Sequence, residues 1–133
     1  MIFALDSNII SYLIKGDKEV KRNFEISMDG INQYIIPPLV FYEVKRWLLL
    51  RKAMVQLKEF EVIYKNGIKK DMTNDVWEKS VDIYTRLKSS GINIDDADIF
   101  VASYCIVNGY TLITNNTKHF ENIDGLIIDN WKV

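Results

Sequence analysis

Four short apolar runs, IFAL (2–5), QYIIPP (33–38), YTLIT (110–114) and GLIID (125–129), interrupt a sequence that otherwise reads mostly as helix. They constrain the fold more than any other feature. Short, evenly apolar strands belong in a parallel sheet covered on both faces rather than in a sheet with one wet side. Parallel neighbours cannot be joined by tight hairpins and need a crossover, usually a helix. The alternation of strand and helix therefore predicts an α/β protein, a three-layer α/β/α sandwich around a central, mostly parallel sheet.

The intervening segments fit that reading. SNIISYLIKG (7–16) predicts a helix capped by Ser7 or Asn8 and stopped by Gly16. A second helix is expected over 18–28, with Val20, Phe24 and Met28 along one side. Leu39 to about Tyr64 holds only helix formers and is long enough for two helices broken near Arg51–Met54. Thr73 or Asn74 should cap the next helix, with Trp77, Val81, Tyr84 and Leu87 on its apolar face, and Gly91 ends it. Ile99–Val107 is apolar nearly all round, which predicts a helix sunk in the core and stopped by Gly109.

At 133 residues one domain, 1–133, is the expectation. Hydrophobic residues at 48% and charged residues at 26% are ordinary for a soluble globular chain. With a net charge of −1, the chain is no polycation, so any affinity for nucleic acid must reside in a local patch. Cys105 is the only cysteine, which excludes an internal disulfide and a cysteine-cluster metal site and fits a reducing, cytoplasmic setting. No basic leader precedes IFALD, and no apolar run approaches the roughly 18 residues of a membrane span.

The chemistry is in the acids. IDDADIFVAS (94–103) sets Asp95, Asp96 and Asp98 directly before the buried helix. Helix capping and the macrodipole explain one or two of them; a third points to binding. Ligands of open parallel sheets bind beyond the carboxyl ends of the strands. Asp6 follows the first strand, Glu43 lies a turn into the helix after the second, Asn116 follows YTLIT by two residues, and Asp98 opens the buried helix. Each alone has a plain alternative as a turn, surface or loop residue, but topology sends all four to one edge. Clustered carboxylates repel unless a cation offsets them. Oxygen donors without His or Cys suit Mg²⁺ or Mn²⁺ rather than zinc, and such an ion can activate water against a phosphodiester.

The chain also resembles the PIN-domain ribonucleases of the VapC toxin type, over essentially its whole length. LDSNIISYLIKG (5–16) resembles the family's opening signature, PPLVFYEVKRWL (37–48) its Glu-bearing helix, and GINIDDADIFVAS (91–103) its second acidic segment. GYTLITNNTKHF (109–120) and GLIIDNW (125–131) resemble its closing strand, loop and terminus. The resemblance implies a PIN-like fold and a catalytic metal site at Asp6, Glu43 and Asp98, with Asn8 holding Asp6 or a metal-bound water. It implies Asp96 as a possible accessory ligand and Asp95 as the helix cap. Asn116 stands where many members carry a fourth Asp, which puts a second tightly held metal in doubt. It further implies a Mg²⁺- or Mn²⁺-dependent endoribonuclease cleaving RNA such as tRNA to leave a 5′-phosphate, a small VapB-like antitoxin partner, and a homodimer.

Between 43 and 70, eight bases face three acids, the only basic concentration in the chain. It reads either as a solvated helix face or as a track for RNA, with Lys45 and Arg46 the best candidates because they adjoin Glu43. His119 reads as a surface residue, Cys105 as a core side chain, and Trp47, Trp77 and Trp131 as packing residues. A catalytically weak RNA- or protein-binding module of the same fold is the main rival. A phosphatase or response-regulator chemistry is disfavoured, since the first strand ends in DSN and not DxD.

Overall fold

The computed structural model describes residues 1–133. In chain order the elements are β1 (Ile2–Leu5), α1 (Ser7–Ile14), α2 (Lys18–Ser27), β2 (Gln33–Ile35), α3 (Pro38–Leu50), α4 (Met54–Asn66), α5 (Asn74–Ser89), α6 (Asp96–Asn108), β3 (Thr111–Ile113), α7 (Thr117–Phe120) and β4 (Ile127–Asp129). The sheet has the order β2-β1-β3-β4 and every pairing is parallel, so the α/β/α sandwich expected from the apolar runs is the observed architecture. Ala4 sits opposite Ile35 on one side and Leu112 on the other. These central residues, with Leu5 and Ile113, are fully buried. Filling both faces of such short strands is what makes evenly apolar sequence possible there.

Several local features depart from the sequence reading. Asp6, not Ser7 or Asn8, is the cap of α1: its Oδ1 accepts the Ser7 N–H at 2.8 Å. The two prolines after β2 do more than end it, because Pro37 and Pro38 open α3, where a missing N–H costs nothing. α3 and α4 break where expected, and Lys52 at the break takes a positive φ of 55°. α5 buries Val76, Ser80, Ile83 and Leu87 rather than Trp77, Val81 and Tyr84, which are exposed. Ser80 tolerates the core because its hydroxyl donates to the Val76 carbonyl at 2.8 Å. α6 is the buried helix, and Gly109, at φ 72°, turns the chain from it into β3. Cys105 is fully buried on α6, and burial pushes its thiol well above the usual range. No helix is long and apolar enough to cross a membrane.

Trp131 packs against Phe3 and Phe24, and beside it Lys132 Nζ lies 2.8 Å from Asp17 Oδ2 at the start of α2. The Lys132 hydrogen bond, then the Val20 N–H, hold the Asp17 carboxyl below its ordinary 3.8. A depressed acid contributes stability above its ordinary value and loses it as pH falls through the folded one. Lys132→Met should therefore unfold at lower urea than the parent near neutral pH. That deficit should shrink below pH 3.8, and a deficit unchanged down to pH 2 would show that the ammonium group does not matter.

Candidate active site

The carboxyl ends of β1 and β3 lie side by side, and the residues that follow them are tied together. Asp6 is buried, and its Oδ2 accepts the Thr114 hydroxyl at 2.8 Å and the Asn8 amide at 3.3 Å. Asn8 Oδ1 in turn accepts the Asn115 N–H at 2.8 Å, while the Asn116 N–H donates to Thr114 Oγ1 at 3.1 Å. The polar residue of the DSN signature thus pins the TNNT loop against the start of α1. The Asn116 side chain makes no capping bond for α7 and faces the same cleft as Asn8 and Glu43.

Glu43 reaches this edge from α3 and Asp98 from the first turn of α6. Burial pushes the Glu43 carboxyl above its ordinary 4.5, and the Asp6 charge adds to this; Arg46 opposes it, and Asp98 raises it further. Asp98 is also raised above 3.8, first by burial, with Asp6 and Asp95 adding to the effect and His119 opposing it. Asp6, Glu43 and Asp98 therefore share one electrostatic environment.

The other candidates divide. Asp95 occupies the N-cap position of α6, but its side chain makes no capping bond; it acts on Asp98 by charge. Asp96 is exposed and acts on neither Glu43 nor Asp98, so the fold does not bring it into the group. Arg46 lines a cleft of about 320 Å³ with Glu43, Asn8, Asn116 and Trp47. Lys45 points elsewhere, its ammonium 5.4 Å from the Phe41 ring centroid. Trp47 is partly exposed in that cleft and Trp77 meets Phe100 edge-on at the surface, so of the three tryptophans only Trp131 is buried.

Two contributors escaped the sequence reading. His119 is not a bystander: its Nδ1 lies 3.2 Å from Asp98 Oδ2. Thr114 joins Asp6 to the loop after β3. A hydroxyl following a buried strand was the available signal for Thr114, but nothing local marks the pairing of His119.

No three His, Cys, Asp or Glu side chains converge closely enough to enclose a metal ion. The donor chemistry nevertheless fits a hard cation: three carboxylates, two of them destabilised as anions by burial and by neighbouring acids, with no soft ligand among them.

Residues 3–126 match the PIN domain family. The chain belongs to it. Over 140 aligned residues, 98% of either chain, this PIN domain is 29% identical to Ribonuclease VapC2 of Rickettsia felis. It superposes at a TM-score of 0.91 and 27% identity on a chain of the crystal structure of VapBC2 from Rickettsia felis bound to a DNA fragment from their promoter, covering 99% of this chain and 100% of that one. For VapBC-1 of nontypeable Haemophilus influenzae the TM-score is 0.84 at 20% identity, covering 98% of both chains, a likeness of fold.

Proposed function

We propose that this PIN domain, residues 1–133, is a Mg²⁺- or Mn²⁺-dependent endoribonuclease. In this reading it is the toxin of a toxin–antitoxin pair, acting in the cytoplasm on cellular RNA such as tRNA. The observation that carries the reading is the coupled trio Asp6, Glu43 and Asp98 at the carboxyl edge of the sheet, in a chain aligned along 98% of its length with Ribonuclease VapC2. The trio would hold the metal, which when bound supplies a Lewis acid and an activated water for phosphodiester hydrolysis. The chain's own part is positional. Thr114, Asn8 and the Ser7 N–H hold Asp6 in one orientation, and Arg46 brings a positive charge beside Glu43. A small VapB-like antitoxin would neutralise the toxin, and a homodimer is the proposed assembly.

RNA cleavage by the purified protein should require Mg²⁺ or Mn²⁺ and stop on chelation. Activity persisting in EDTA after removal of all divalent ions would refute the metal-dependent reading. Asn116 favours a second reading, a catalytically weak binding module, since it supplies no charge where a fourth acid would. That module predicts RNA binding with no cleavage under any divalent ion.

A further inference from the structure

A second cleft, also about 320 Å³, opens on the Asp98 side, between the α5–α6 connection and α7. Asp98 forms part of its wall, as Glu43 does for the first cleft, so two recesses of the same size each border a different member of the acidic trio. Its other polar groups keep free donors or acceptors. Lys118 forms no ion pair, the Asn122 side chain has no hydrogen bond, and Asn93 uses only its Oδ1, which accepts from Lys88 at 3.1 Å. His119 engages Asp98 through Nδ1, leaving its other ring nitrogen without a partner. Ile92 adds an apolar surface.

We propose that this second cleft binds the nucleotide on one side of the scissile phosphate, while the Glu43 cleft takes the nucleotide on the other. The inference rests on the ribonuclease reading and deepens it. Each recess is at the small end of ligand pockets, roughly 300–1,000 Å³, with room for a splayed nucleotide and not for a duplex. Two amides meet the donor and acceptor edges that only unpaired bases expose, Ile92 meets a base face, and Lys118 meets the adjoining phosphate. Asp95 and Asp98 are the negative charges in its lining that oppose an RNA strand there. The uncommitted amides and ammonium favour RNA over an apolar protein segment. A strand lying in both recesses crosses the carboxylates, so cleavage falls inside single-stranded or loop RNA and requires a nucleotide on each side.

The test is fluorescence anisotropy with a labelled single-stranded RNA oligonucleotide in EDTA, where nothing is cut. Lys118→Ala should weaken binding about 5-fold and make the slope of log affinity against log salt shallower by about one. Asn122→Ala should weaken binding several-fold to the intact oligonucleotide and leave binding to an abasic oligonucleotide unchanged. Asp95→Asn should tighten binding. Parental affinity in both Lys118→Ala and Asn122→Ala, or no binding of the RNA by the parent, overturns the cleft assignment. Cleavage with Mg²⁺ on the same proteins separates the two readings. Binding that depends on Lys118 and Asn122 without cleavage sustains the cleft and removes the nuclease. Cleavage with unchanged KM in both variants does the opposite.

Discussion

Asp6→Asn is expected to slow RNA cleavage on the order of 100- to 1,000-fold while the protein stays folded, since the transition-state charge stabilisation at stake is worth several kcal/mol and each tenfold in rate is about 1.4 kcal/mol. The variant keeps an oxygen for the Ser7 N–H, so the α1 cap survives. Its new amide faces Thr114, whose hydroxyl can rotate from donor to acceptor, and faces Asn8, whose amide loses an acceptor. The structural cost is thus about one hydrogen bond, roughly 1 kcal/mol, partly offset because Glu43 and Asp98 lose a repulsive neighbour. Urea unfolding close to the parent's, with cleavage lost, is the expected pair of results. Expression of the parent without an antitoxin should arrest growth, and expression of Asp6→Asn should not. Cleavage at the parental rate would remove Asp6 from the reaction.

The second large effect is a separation of binding from catalysis on α3. Glu43→Gln should lose cleavage to a similar degree yet bind RNA slightly more tightly, since a half-buried negative charge in the cleft is gone. Arg46→Ala should do the reverse, weakening RNA and lowering the salt slope by about one, because its guanidinium lines the Glu43 cleft. Lys45→Ala should matter less, its ammonium being directed to Phe41. Cleavage and binding measured across a salt series decide this. Full cleavage by Glu43→Gln would favour the binding module over the nuclease.

How much of this was readable beforehand depended on whether a feature is set by local pattern or by the meeting of distant segments. The parallel sheet was legible because burial on both faces leaves its mark on the central strands β1 and β3, while the edge strands β2 and β4 are only partly covered. The proximity of Asp6, Glu43 and Asp98 was legible because Asp6 follows β1, Glu43 lies early in the helix after β2 and Asp98 opens the helix that leads into β3. The exposed face of α5 was misread for a definite reason. Trp77, Val81 and Tyr84 are larger and more apolar than Ser80, yet Ser80 satisfies its hydroxyl on its own helix and takes the core position. The cap of α1 was placed one or two residues late, because Asp6 serves its helix and the β3 loop together, and Asn8 is occupied by Asn115. The contact of His119 with Asp98 depends on where the short α7 sets its ring against α6, which no spacing in the chain encodes.

In the proposed site the hydrogen bonds around Asp6 would also divide the labour of grasping. With three donors on its two oxygens and its backbone N–H bonded to Ile113, Asp6 behaves as the stationary jaw of a vice. Glu43 is the sliding jaw: it has one more rotatable bond, stands on a different helix and has no hydrogen-bonded partner to lock its rotamer. On the proposed metal-holding role, accommodation to guests of different size would fall to Glu43 through cheap torsional adjustment, with the backbone of β1 left at rest. Shortening the sliding jaw, as in Glu43→Asp, would retain the charge and forfeit the reach.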